Sequence, residues 1–327
     1  MKSPTCNFEL SDVIDVASLI RRKIDAGLPF SLVRLGDGEG ALLALSDNST
    51  EQDRYYFYRH LGPVQEGQCV LEPLQSTLRD AIAGASIVGV RDDVVGVEFP
   101  QDRFQWPEAA FLEEFRSHFR LRDIDLKLPY EGARRIAFLH RELGAIEFSD
   151  QQQFCSAWIQ YDLHTSGLLF DVIGRQDAIG LISCRKPLTD VMQSLFEVKL
   201  HFHHVPAMYR DIREHEVPED YLDQMNAILD KDLVKFPGML FLVGAGLFGK
   251  VYCEEIRKQG GVALDVGSLL DAWLGIESRP AVYKSKFPGK AAARGVPDEL
   301  LLNQENIRRF SSQLYAGEFL TEPSSSQ

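Results

Sequence analysis

Residues 239–274 read MLFLVGAGLFGKVYCEEIRKQGGVALDVGSLLDAWL. An apolar β-type run, 239–243, enters Gly244-x-Gly246-x-x-Gly249. A helical pattern follows to the Gly260-Gly261 stop, and a second apolar run ends at Asp265. Strand, glycine turn, helix, strand is the unit from which parallel α/β sheets are built. Glycines at the strand–helix junction let an anion approach the helix N-terminus, where free N–H groups and the helix dipole favour negative charge, and Lys250 adds a cation one residue on. Asp265 follows Gly244 by 265 − 244 = 21 residues, the spacing of a ribose-binding acid in a dinucleotide fold. A nucleotide site and a tight structural turn are both compatible with the stretch.

The same alternation extends outward. Strands are expected at 30–35, 86–90, 135–139, 178–183, 200–205, 239–243 and 262–266. Helices are expected at 12–26, 72–83, 107–118, 150–163, 188–196, 219–231 and 247–259, with apolar residues at three- and four-residue spacing. The fold class is therefore α/β and Rossmann-like, a mostly parallel sheet with helices on both faces. One main domain is expected over 1–277, followed by a basic extension and tail over 278–327 carrying Arg279, Lys284, Lys286, Lys290 and Arg294.

The segment 29–43, PFSLVRLGDGEGALL, runs a strand into Gly36-Asp37-Gly38-Glu39-Gly40. Open α/β sheets bind ligands at this carboxyl edge. Two carboxylates flanked by glycines can turn onto one hard cation while a diphosphate comes close, so Asp37 and Glu39 are candidate metal ligands. The alternative is a Gly-Asp-Gly turn that only reverses the chain. Ser183-Cys184-Arg185-Lys186 follows another strand at the same edge, and Arg185 is suited to neutralising phosphate there.

With 35 Lys and Arg against 48 Asp and Glu, the net charge of −13 disfavours nucleic acid and anionic lipid as main partners. No stretch approaches the roughly 20 apolar residues of a membrane span, and the N-terminus lacks a signal-peptide core, so a cytoplasmic protein is expected. Five cysteines without a CxxC suggest reduced, mostly buried thiols. His201, His203 and His204 lie on one strand, where a metal pair at 201 and 203 competes with the plainer reading of cleft-lining or exposed histidines. No GxSxG elbow, HExxH or P-loop occurs.

The two glycine-rich segments together resemble the GT-D fold glycosyltransferases of bacterial surface-glycan and glycoprotein pathways, a family long labelled a domain of unknown function. The resemblance rests on Arg34, Gly36, Asp37, Gly38 and Glu39 after the first strand, and on Gly244 to Gly249 followed by Asp265-Val266-Gly267. It extends loosely over residues 10–277. It implies transfer of a sugar from a nucleoside diphosphate donor, such as a UDP-hexose, to a glycan or glycoprotein acceptor. It also implies a divalent metal, Mn²⁺ or Mg²⁺, held near the diphosphate by Asp37 and Glu39. Arg34 would brace that loop. Gly36, Gly38, Gly244, Gly246, Gly249, Lys250 and Arg185 would lie on the donor side, with Asp265 accepting from a hydroxyl or acting as a base. Some relatives carry His where this chain has Ser268. The rival readings are an NAD(P)-dependent Rossmann oxidoreductase, a methyltransferase, and a nucleotide-binding subunit without turnover.

Overall fold

The computed structural model describes residues 6–46, 49–51, 54, 71–119, 129–207 and 221–274. Among the described residues, eight strands form one sheet in the order β1-β4-β3-β2-β8-β7-β5-β6, and every pairing is parallel. They are β1 (Leu10–Ser11), β2 (Phe30–Arg34), β3 (Ile87–Val90), β4 (Gln153–Ser156), β5 (Ala178–Ser183), β6 (Lys199–His204), β7 (Leu240–Gly244) and β8 (Val262–Asp265). The central strands FSLVR, AIGLIS and LFLVG are near-continuous apolar runs, as expected of strands covered on both faces.

Two apolar layers cover the sheet. Against one face lie α2 (Asp37–Ala44), α3 (Leu71–Gly84), α4 (Glu108–His118), α5 (Tyr130–Leu143), α9 (Tyr221–Asn226) and α10 (Phe248–Lys258). Leu42, Leu78, Phe115, Ile136, Met225 and Tyr252 represent them in one buried cluster. Against the other lie α1 (Val13–Asp25), α6 (Ile159–Thr165), α7 (Leu168–Gly174), α8 (Leu188–Leu195) and α11 (Leu269–Trp273). Helix α1 starts where the Asp12 carboxylate accepts from the N–H groups of Ile14 and Asp15, an N-cap that satisfies two otherwise unpaired donors.

The doubly wound α/β architecture and six of the seven expected strands are present. The run 135–139 is instead part of helix α5. Nine of its residues between Gly132 and Leu143 are buried, including the run Ile136 to His140, and such a run has no periodicity to distinguish it from a buried strand. The expected helix over 150–163 divides into β4 and α6. The glycine-rich segment after β2 is not a loop but the first turns of α2. The basic extension lies outside the described residues, as does the boundary at 277. Among the described residues no helix is long and apolar enough to cross a membrane.

The winding has a topological switch point at the carboxyl edge of the sheet. The chain leaves β2 into α2 and leaves β7 into α10 on one face, whereas it leaves β8, which lies between those strands, into α11 on the other. Such a divergence opens the carboxyl edge of the sheet between β2, β8 and β7.

Candidate functional site

Four charged side chains meet at that edge. Arg34, the last residue of β2, donates from Nε to the Asp265 carbonyl at 2.6 Å, from Nη2 to Asp265 Oδ1 at 3.1 Å and from Nη1 to the Ala157 carbonyl at 3.1 Å. Lys250, in the first turn of α10, reaches Glu39 Oε1 at 2.6 Å, Asp265 Oδ2 at 3.1 Å and the Gly246 carbonyl at 3.1 Å. Glu39 Oε2 accepts from the Gly36 N–H at 2.7 Å and so closes the start of α2. Two cations and two carboxylates balance, and Glu39, Lys250 and Asp265 are all buried. Burial alone would weaken the charged state of each group. For Asp265 the Arg34 and Lys250 charges outweigh it and hold the carboxyl below its ordinary range. For Lys250 burial likewise opposes charge, and Asp265 and Glu39 outweigh it and raise the ammonium's pKa.

Small residues make room for this network. Gly267 has φ +49°, and a Cβ there would collide with the Arg34 guanidinium. A Cβ on Gly89 would lie 3.1 Å from Arg34 Cγ. Gly40 sits against the backbone of α5, where a Cβ would be 2.5 Å from the Arg135 carbonyl and 2.6 Å from the Leu139 nitrogen. This contact brings Arg135 over the start of α2, with its Nε 3.3 Å from Asp37 Oδ2.

The structure thus joins Arg34, Glu39, Lys250 and Asp265 and sets Asp37 apart, partly exposed and paired with Arg135. Gly36 is the extended residue before α2, and Gly38 lies in its first turn. Gly246 has φ +55°, a left-handed turn that favours glycine. Gly244 has a packing reason as well, since a Cβ there would be 2.6 Å from Leu270 Cδ1. Gly249 faces Val243 and Asp265 at ordinary contact distances. Arg185 lies beyond the glycine turn, its Nε 2.8 Å from Asp271 Oδ1, where Ser183 pairs with Gly244. Ser268 is hydrogen-bonded to the Tyr161 hydroxyl at 2.8 Å.

Three expected roles change with this geometry. The Lys250 ammonium has three N–H donors and an acceptor for each, so it binds protein rather than a ligand's phosphate. Both Asp265 oxygens accept from Arg34 or Lys250, so the carboxylate is occupied by protein cations that oppose its taking up a proton as a base. Asp37 and Glu39 do not fit one divalent ion. At the first and third positions of a helix they point about 200° apart around its axis, and an ion on Glu39 would press against the Lys250 ammonium. Among the described residues no group of three or more His, Cys, Asp or Glu side chains is placed to hold a metal ion. His201 and His203 lie on the edge strand β6, with the His203 ring against Phe241. Arg135, Gly89 and the Ala157 carbonyl escaped the sequence reading, which met Gly267 only as the end of the Asp265-Val266-Gly267 element and not as the residue that makes room for Arg34.

The sequence matches no protein-family model. It also matches no curated protein. Solved structures are similar in architecture. One is a glycosyltransferase of the domain of unknown function 1792 type from Streptococcus sanguinis, at 14% identity over 90% of this chain and 92% of that chain, with a TM-score of 0.46. Another is a selenomethionine-substituted structure of the same domain type, at 14% identity over 90% and 89% of the two chains, with a TM-score of 0.45. A third, described as having a distinct glycosyltransferase fold, is 16% identical over 91% and 90%, with a TM-score of 0.44.

Proposed function

We propose that the protein is a glycosyltransferase that takes a sugar from a nucleoside diphosphate donor, a UDP-hexose in the first instance, and passes it to a glycan or glycoprotein acceptor. The observation that carries this reading is the Lys250–Glu39 contact. It ties the first turn of α10 to the first turn of α2 across the switch point at the carboxyl edge of the sheet. Two helix N-termini then serve one anion-binding region, and a diphosphate is the ligand class that such a region favours. Arg135 and Arg185, which are less buried than Lys250 and pair with Asp37 and Asp271, would turn from those carboxylates to the two phosphoryl groups when a donor binds. Charge that develops on the departing nucleotide is stabilised by these fixed groups, the main electrostatic demand of glycosyl transfer. Because the Asp-x-Glu pair does not fit a shared ion, no step is assigned to a metal.

The oxidoreductase reading fares worse on a specific point. The acid that would hold the ribose hydroxyls, Asp265, is buried and committed to Arg34 and Lys250. Melting curves with UDP, GDP, NADH and S-adenosylmethionine separate the classes through ligand stabilisation. A shift with a nucleoside diphosphate, reduced in Arg135→Ala, supports the proposal. A shift confined to NADH or S-adenosylmethionine rejects it.

A further inference from the structure

Lys250 is placed where a bound cation would be expected. Three oxygens converge on its Nζ from three separate segments: Glu39 Oε1 of α2 at 2.6 Å, Asp265 Oδ2 of β8 at 3.1 Å, and the main-chain oxygen of Gly246 at 3.1 Å. Two carboxylates and a carbonyl are a donor set that suits a hard divalent ion. The set is buried, and the fourth member of the network, Arg34, approaches Asp265 from the opposite side through Oδ1. Without Lys250 the two carboxylates would face one dry space with a single compensating charge, an arrangement that strongly favours uptake of a cation.

We propose that Lys250 is a resident cation that takes the place of a divalent metal at this edge. The native chain then needs no ion to hold the glycine-rich turn against α2, and removal of the ammonium converts Glu39, Asp265 and the Gly246 carbonyl into a divalent metal site. The proposal stands on side-chain geometry alone and is independent of the sugar-transfer reading, because its test uses metal and protein without any donor.

The experiment titrates Mn²⁺ into the full-length wild-type chain, Glu39→Gln, Lys250→Ala and Lys250→Ala/Glu39→Gln. Bound ion is followed by loss of the free Mn²⁺ paramagnetic resonance signal, and thermal melting is recorded with Mn²⁺ or with EDTA. The wild type is expected to melt at the same temperature with either addition. Lys250→Ala is expected to bind one Mn²⁺ per chain at least about tenfold more tightly than the wild type, and to regain melting temperature with it. The double variant is expected to lose that gain. A wild-type chain that binds one Mn²⁺, with the binding lost in Glu39→Gln, overturns the proposal. A Lys250→Ala chain that gains no ion also overturns it, as does one that stays unfolded with Mn²⁺ present throughout refolding.

Discussion

Replacing Asp265 by Asn removes one charge from a buried, balanced set of four and leaves Arg34 and Lys250 facing Glu39 alone. The carboxylate has 2% side-chain exposure, and both of its oxygens accept from cationic partners at 3.1 Å. Removing one partner of a buried pair typically costs 3–5 kcal/mol. Asn keeps the volume and one acceptor oxygen, so about 3 kcal/mol is expected. That is a large share of the roughly 5–15 kcal/mol that holds a domain folded. The assay is urea unfolding of wild type and Asp265→Asn across pH. The Asp265 carboxyl is held below its ordinary range, so its contribution is fully present above the unfolded pKa and lost as pH falls through the folded one. The difference between the two chains should be level from about pH 5 to 8 and should narrow below about pH 4. A difference under about 1 kcal/mol at neutral pH, or one that persists undiminished in acid, would refute the charge-balance argument.

Other perturbations read the remaining parts. Gly40→Ala places a Cβ against the α5 backbone, which cannot rotate aside, so a loss of about 1–3 kcal/mol in chemical denaturation is expected. An unchanged midpoint would contradict the close α2–α5 approach. Gly246→Val forces a β-branched residue to φ +55°, and it should lower stability by about 1–2 kcal/mol while weakening nucleoside diphosphate binding further, as calorimetry would read. His164 is fully buried and accepts from Trp273 Nε1 at 3.1 Å, and burial pushes its pKa down to about 3. Its imidazole should therefore remain neutral by NMR at pH 5. Because the unfolded chain takes up that proton below about pH 6.5, stability should fall with acidification by up to about 1.4 kcal/mol per pH unit from this residue. Burial raises the thiol of Cys6 to about 11 and pushes those of Cys155 and Cys253 well above the ordinary thiol range, so among the described cysteines iodoacetamide should label Cys184 first, as peptide mass spectrometry would show.

Much of the sheet was legible because its central strands are continuous apolar runs bounded by glycine or polar residues. Strand β4 was hidden because QFCS is short and half exposed, and its flanks carry helix-compatible residues. The run 135–139 misled for the opposite reason, since a continuous buried run within a helix reads like a strand. At the site, residue identities were legible and partners were not. Arg34, Glu39, Lys250 and Asp265 all stand in glycine-rich motifs, yet no spacing rule states that Lys250 turns back onto two carboxylates instead of outward to a ligand. That outcome depends on β8 lying between β2 and β7, a long-range order that local periodicity does not contain. The same applies to Arg135, which reaches Asp37 only because Gly40 lets α5 pack against α2.

The proposed function puts a nucleoside diphosphate sugar at the carboxyl edge between β2, β8 and β7, held by groups fixed on its two rims. The most direct measurement is release of the nucleoside diphosphate from a panel of UDP-, GDP- and ADP-hexoses, with and without a glycan acceptor mixture, by wild type, Arg135→Ala and Arg185→Ala. One donor should be turned over by the wild type and accelerated by acceptor, with catalytic efficiency falling roughly tenfold or more in each variant as a phosphate-facing cation is lost. Equal turnover by all three proteins, or release from no donor in the panel by a wild-type chain that still melts cooperatively, would overturn the proposed function.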